Sequence, residues 1–257
     1  MLKLASENDL VEILSFCDSD LLGTRIGCYC LAYGFERDFL KVWINETDGI
    51  INTAIAKFYD SVTVKNSSED TSEITEFLNM IGYTSLDADA DFCRRTLLDV
   101  CSTKKAYIFR GISTENTAEE IGEENYKSLY SLVSENIPGS FVNSKEAYLS
   151  FLSDFTFRKR RGFARSKGIV SDGKLVSCVI TSAETDKCAL LSAVASDKSV
   201  RGKGYGKKTV LSAVNELINE NKDVFVIALN ESAQSFYEHI GFEYYTDICH
   251  IERKNDV

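Results

Sequence analysis

The chain has 257 residues, of which 44% are hydrophobic and 26% charged, so it can fold as one large or two modest domains with a sizeable core. A net charge of −10 makes it a poor general nucleic-acid binder and suits a positively charged small substrate better. No apolar run reaches membrane-spanning length, and the start, Met-Leu-Lys-Leu-Ala-Ser-Glu-Asn-Asp, is not of signal-peptide type; a cytoplasmic protein without a membrane partner is expected.

In chain order, Asp9 to Phe16 carries an amphipathic helical pattern and Leu21 to Tyr33 reads as a second helix. Phe39 to Ile44 and Ile50 to Phe58 read as strands joined across Asp48-Gly49, a favoured hairpin turn. Lys65 to Asp70 is a polar turn, followed by a helix over Ser72 to Ile81 that Gly82 would stop. Asp91 to Val100 is expected to be helical, Ala106 to Phe109 to close a sheet, and Ser113 to Glu120 to be a linker. Asp87, Asp89 and Asp91 begin like a calcium loop, but Phe92 stands where glycine is needed and Leu98 where glutamate is needed, so no metal is expected. The eight cysteines include no C-x-x-C pair and sit mostly among apolar neighbours, as reduced core residues do.

The second half repeats this plan. Tyr126 to Glu135 and Ser144 to Phe155 give two helices, the first stopped near Pro138-Gly139. Pro138 is the one proline, where average usage would give about 13. The run Arg158-Lys159-Arg160-Arg161 reads first as the favourable cations of a helix C-terminus and second as an acidic-partner or phosphate site. Phe163 to Val170 and Lys174 to Thr181 give two strands across Asp172-Gly173, which lies 124 positions after Asp48-Gly49 (172 − 48). The repeated turn between similar strands, after paired helices, points to an internal duplication. Glu184 and Asp186 follow, read first as a solvated hairpin turn and second as candidate proton acceptors.

Ala189 to Val194 is a short buried strand; Val194-Ala-Ser-Asp-Lys-Ser-Val-Arg-Gly-Lys-Gly-Tyr-Gly206 follows, and then a helix with Val210, Leu211, Val214, Leu217 and Ile218 at helical spacing. Strand, glycine-rich basic turn and helix together form a recipe for holding phosphate. Neither a dinucleotide fingerprint nor a Walker A loop fits: Lys207 and Thr209 occupy glycine positions of the first, and Lys207 a glycine position of the second. The next strand, Val224 to Leu229, ends in Asn230 where a Walker B strand would end in aspartate.

Arg201-Gly202-Lys203-Gly204-Tyr205-Gly206 resembles the Q/R-x-x-G-x-G/A loop of the GNAT N-acetyltransferase superfamily, which holds the pyrophosphate of coenzyme A. Asn230, Ala233, Phe236, Tyr237, Gly241 and Phe242 match every named position of that family's second signature, N-x-x-A-x-x-F-Y-x-x-x-G-F. The resemblance covers roughly residues 119 to 251. It implies an α+β (mixed α/β) fold of tandem GNAT-like domains, each a twisted, mainly antiparallel sheet flanked by helices. The domains would be 1–112, degenerate because Asn66 to Asp70 replaces the basic loop, and 119–257, the acetyltransferase. The implied acyl donor is acetyl-CoA. It would be bound by the backbone of Val194, Ala195 and Ser196, by the loop Arg201, Gly202, Lys203, Gly204, Tyr205, Gly206 and Lys207, and by Asn230, which could equally be a helix cap.

Tyr237 would protonate the departing thiolate, although Ala233, Phe236, Tyr237 and Ile240 also form an ordinary apolar helix face. With His239 and His250 the only histidines, no metal site and no Ser-His triad is expected. The implied reaction is acetyl transfer to a primary amine of a small, cationic acceptor; the alternative is a non-catalytic coenzyme A-binding module. Residues 1–117 hold 11 Lys/Arg against 19 Asp/Glu, a balance of −8, and the remainder 18 against 20, a balance of −2.

Overall fold

The structure, a computed structural model, describes residues 1–96, 98–137 and 141–253. The chain packs into two compact units. The first comprises Met1–Tyr107, Ile227–Ser235 and Tyr244–Val257, and the second Ile108–Val226 and Phe236–Glu243.

The first unit opens with a short edge strand β1 (Lys3–Leu4) and the helices α1 (Leu10–Cys17) and α2 (Leu21–Tyr33). The hairpin β2 (Leu40–Thr47) and β3 (Ile50–Phe58) turns at Asp48 and Gly49, with φ of 52° and 76°. Two positive φ values in succession make a turn whose twist matches the strands it joins. Then come β4 (Ser61–Asn66), α3 (Ser72–Ile81), β5 (Ser85–Asp89), α4 (Ala90–Arg95) and β6 (Ser102–Phe109). The C-terminal strand β12 (Phe242–Glu252) returns to this unit and pairs antiparallel with β5, from Ile248↔Asp89 to Glu252↔Ser85. The strand order here is β1-β2-β3-β4-β5-β12-β6, and β4 runs parallel to β5 because α3 crosses between them. Alternation along β3 sorts the helices onto two faces: Ala54 and Ala56 pack with Ile13 of α1 and Ile26 of α2, while Ile55 packs with Ile74 of α3 and Phe92 of α4.

The second unit has the same plan. A two-residue edge strand β7 (Glu119–Glu120) precedes α5 (Tyr126–Asn136) and α6 (Lys145–Arg160). The hairpin β8 (Ser166–Ser171) and β9 (Lys174–Glu184) turns at Asp172 and Gly173, with φ of 51° and 74°. Next are β10 (Cys188–Ser196), α7 (Tyr205–Asn219), β11 (Asp223–Ile227) and α8 (Glu231–His239). The order is β11-β10-β9-β8-β7, with β10 and β11 parallel. Tyr126, Leu129, Val133 and Phe155 of α5 and α6 bury one face, against Cys178, Ile180, Ala193 and Ala195.

Several expectations change. Ser61–Asn66 is a strand, so the polar turn starts only after Asn66. The helix expected over Asp91 to Val100 ends at Arg95, where Thr96 turns extended and its hydroxyl donates to the Cys93 carbonyl at 3.3 Å. Pro138-Gly139, the expected stop of α5, lies outside the described residues. The segment Ser113 to Glu120 is docked rather than free, since Ser113 Oγ donates to the Leu211 carbonyl (2.9 Å) and the Ala118 N–H donates to Ser212 Oγ (3.0 Å). All eight cysteines are free thiols, and only Cys101 is exposed.

Candidate functional site

The site begins with a fault in β10. Ala193 has φ of +50°, costly for a residue with a Cβ, and the register against β9 shifts between Ser192 and Ala195. Parallel pairing with β11 runs from Cys188↔Asp223 to Leu191↔Val226 and goes no further. Beyond the bulge, Ala195 and Ser196 still pair with Cys178 and Ser177 of β9, but their other edge lacks β11. Strand backbone without a neighbour is a template for an extended amide chain. Val194, Ala195 and Ser196 all lie on it.

The loop follows at once. Asp197 stiffens its start: the carboxylate accepts from the Ser199 N–H (2.9 Å) and pairs with Lys174 (2.5 Å), which holds it well below the usual carboxylate range. Gly202 and Gly204 have φ of 78° and 82°, which glycine adopts freely. Gly206 is needed for another reason. A Cβ there would sit 3.1 Å from Ser196 Oγ and 3.9 Å from Phe236 Cζ, so strand, loop and α8 converge on this one residue. α7 begins at Tyr205 with no side chain capping its N-terminus, and its first backbone turn closes only at Lys208 N–H to the Gly204 carbonyl (3.0 Å). The first helical N–H groups and the positive end of the helix dipole therefore face outward, ringed by the exposed side chains of Arg201, Lys203, Lys207 and Lys208. Such an arrangement has the charge and the donors to receive a polyanion.

A buried hydroxyl chain fixes the loop to the sheet. Thr209 Oγ1 lies 2.9 Å from both the Tyr205 carbonyl and Ser177 Oγ. Ser177 Oγ in turn lies 3.2 Å from the Ala195 carbonyl and 3.0 Å from Ser196 Oγ. Sequence reasoning missed Ser177 and Thr209. The only hint was a threonine inside an otherwise apolar helix face.

Tyr237 lies on α8, 6% exposed, with its ring against Phe236 (5.3 Å) and Phe242 (5.5 Å). Burial pushes its phenol above the usual range, so it stays protonated and can act as a proton donor. Asn230 belongs to the first unit and caps α8, accepting from the Ala233 N–H at 3.0 Å.

Other sequence candidates resolve structurally. Glu184 is 1% exposed, neither a solvated turn nor a free base. Arg165 binds it bidentately (2.9 and 2.7 Å), Lys222 pairs with it at 3.1 Å, and the Thr181 hydroxyl donates to it at 2.5 Å. Asp186 is an exposed turn residue. In the basic run, Arg158 pairs with Asp154, Lys159 with Glu120, Arg160 with Glu123, and Arg161 stacks on Phe157. Asp87 pairs with Arg25 and His250, and Asp89 caps α4 through the Phe92 N–H. His239 is exposed. No group of three metal-ligating side chains occurs among the described residues, nor any helix long and apolar enough to cross a membrane.

The equivalent loop of the first unit is filled by its own side chains. Asp70 accepts from the Ser72 N–H (2.9 Å) and hydroxyl (2.6 Å) at the start of α3, and Asn66 Oδ1 accepts from the Ser68 N–H (3.3 Å). Two of the backbone N–H groups that an anion would use there, those of Ser68 and Ser72, are already taken by the chain's own side chains.

The acetyltransferase (GNAT) family model matches residues 126–242, which contain the bulged strand, the loop and Tyr237. No curated protein sequence matches the chain. A GNAT-family acetyltransferase from Colwellia psychrerythraea is similar in structure at TM-score 0.61 and 14% identity, over 99% of this chain and 100% of that one. A tandem GNAT protein from the clavulanic acid biosynthesis pathway is similar at TM-score 0.62 and 14% identity, over 100% and 99%. A GCN5-related N-acetyltransferase from Sphaerobacter thermophilus is similar at TM-score 0.63 and 10% identity, over 100% and 97%. At such identities these likenesses speak for the fold, a tandem GNAT fold along the whole chain. The outward-facing helix terminus and the bulged strand thus sit inside the family match, and residues 126–242 form an acetyltransferase (GNAT) family domain.

Proposed function

We propose that the chain is an N-acetyltransferase that takes acetyl from acetyl-CoA to a primary amine of a small cationic acceptor in the cytoplasm. Residues 119–257 would be the acetyltransferase domain and 1–112 a degenerate GNAT-like domain without a cofactor loop. The observation that carries this reading is the convergence at Gly206, where Ser196 of the open strand and Phe236, next to Tyr237, both lie within 4 Å of the Cβ position.

Bound acetyl-CoA would supply the acetyl group as a thioester. The N–H groups at the start of α7, with Arg201, Lys203 and Lys207, would hold its pyrophosphate. The free edge of Val194, Ala195 and Ser196 would hold the amide arm and turn the thioester oxygen toward a backbone donor. The Tyr237 hydroxyl would hold the proton that the departing sulfur takes up. Asn230, by capping α8, would position Tyr237.

One observation favours the alternative, a non-catalytic coenzyme A-binding module. Glu184, the carboxylate nearest a base role in the sequence, is consumed by Arg165 and Lys222. Thiol release from acetyl-CoA, followed across a panel of amines, separates the two. Amine-dependent release supports the transferase, and tight acetyl-CoA binding with no release for any amine leaves the module.

A further inference from the structure

The first unit also contains a parallel strand pair that opens at its carboxyl end. β4 and β5 pair from Ser61↔Ser85 to Thr63↔Asp87. Past that point β4 stays with β3 (Ile55↔Val64 to Thr53↔Asn66), and β5 stays with β12 (Cys249↔Ala88, Ile248↔Asp89). In open sheets, ligands bind in the crevice beyond the carboxyl ends of such strands, where neighbours part. A cavity of about 570 Å³ lies here, bounded by Lys65 and Asn66 from β4 and by Asp89 from β5. Its volume falls within the range of about 300–1,000 Å³ typical of small-molecule sites.

We propose that this cleft binds a small organic cation, a di- or polyamine in size and chemistry. Four carboxylates line it, those of Asp20, Glu69, Asp89 and Asp91, against two cations, Lys65 and Arg95. Both cations are engaged. Arg95 donates to the carbonyls of Ser68 (2.6 Å) and Glu69 (3.4 Å) and pairs with Asp91 (3.0 Å). Lys65 pairs with Asp20 (3.6 Å) and lies over the Phe16 ring. Glu69 and Asp89 are left without an ion pair among the described residues. Asp89 is also half-buried, and its burial pushes the carboxyl above its usual range even though it accepts the Phe92 N–H as the cap of α4 (2.7 Å).

An anion is disfavoured twice over, by the excess of carboxylates and by the loop N–H groups already held by Asn66 and Asp70. The floor is apolar where methylenes would lie, with Leu22 and Ile248 each 3% exposed. This assignment rests on the first unit alone and does not depend on the acetyltransferase reading.

The test is titration calorimetry on the full chain with 1,4-diaminobutane as probe and no acetyl-CoA. Asp89→Asn keeps a good helix cap while removing the charge, and Glu69→Gln is an exposed change that leaves the fold alone. Saturable binding is expected, weakened at least tenfold in the double variant, about 1.4 kcal/mol, and measurably in Glu69→Gln by itself. An Arg201→Ala/Lys203→Ala variant should bind the diamine as the unaltered chain does. Diamine bound instead as an acceptor in the second unit would be insensitive to Asp89 and Glu69, and that result overturns the proposal. So does no saturable heat at about 10 mM diamine, or preferential binding of succinate.

Discussion

At the scale of single residues, Tyr237 is the clearest case of a side chain whose burial would serve the proposed chemistry. Only the hydroxyl is polar, and the ring is fixed between Phe236 and Phe242. Tyr237→Phe should therefore keep the packing and the affinity for acetyl-CoA while kcat falls roughly 10²- to 10⁴-fold. Stopped-flow thiol release beside equilibrium binding reads both quantities, and an unchanged kcat returns Tyr237 to the core. Glu184 is the converse case. Arg165 and Lys222 tie its carboxylate into a buried ion-pair network, so Glu184→Gln is predicted to act on stability. Arg165 keeps Glu216 and Glu220 as partners and Lys222 keeps Glu220, so the change should cost about 1–3 kcal/mol in chemical denaturation, with kcat of the folded variant kept. A large fall in kcat of the folded variant at unchanged acetyl-CoA affinity would instead make Glu184 the base.

At the scale of elements, the loop uses its glycines in two ways, and substitution should separate them. Gly204 needs its φ of 82° and has nothing within 4 Å of a Cβ, so Gly204→Val strains the backbone that starts α7. Gly206 meets Ser196 Oγ at 3.1 Å, so Gly206→Val pushes α7 away from β10. Each should lower coenzyme A affinity tenfold or more in calorimetry with the fold retained. Unchanged affinity in both moves the phosphate site elsewhere.

The return of β12 to β5 leads to a pH prediction. His250 Nδ1 lies 2.7 Å from Asp87, a hydrogen bond that raises the imidazole above its usual range. A raised pKa gives stability that is complete below the unfolded value, near 6.5, and is lost as pH rises through the folded one. His250→Gln should then cost about 1 kcal/mol at pH 5 and little at pH 9. Equal costs at both would mean that the pair carries no charge. The Asp87 carboxyl is buried, which opposes ionisation, yet Arg25 and His250 hold it well below the usual range. Its contribution is therefore lost only as pH falls through that low value.

What could be read in the sequence follows from what is local. The Asp48-Gly49 and Asp172-Gly173 turns, the helix α7 and the glycine loop depend on neighbours a few positions away, and their residues declare it. β12 could not be read that way, because Ile248 finds its partner Asp89 at a distance of 159 positions (248 − 89). The same holds for the bulge at Ala193, where alanine gives no sign of a positive φ, and for the Ser177–Thr209 contact between strand and helix. Asn66 to Asp70 was legible as a loop without basic residues, but its occupation by the Asp70 carboxylate needed coordinates.

At the scale of the whole molecule, charge is the property that no single element carries. Residues 1–117 hold a balance of −8, and the remainder, which contains the basic glycine loop, a balance of −2. If the acidic half is kept for stability alone, that imbalance has no kinetic consequence. If it raises the local concentration of a cationic acceptor, the attraction is long-range and is screened beyond about 10 Å at 0.1 M ionic strength. We predict that kcat/KM for a polyamine or lysine-like acceptor falls steeply between low and physiological salt. An amine of matched reactivity on a neutral body should change far less. Acetyl-CoA must be saturating throughout, because the proposed contacts of Arg201, Lys203 and Lys207 would make its own binding salt-sensitive. Parallel salt dependence for both acceptors would restrict the acidic half to a structural role. A steep fall confined to the cationic acceptor would tie the imbalance to substrate capture, and repeating the series with Asp89→Asn and Glu69→Gln would show whether the cleft of the first unit takes part.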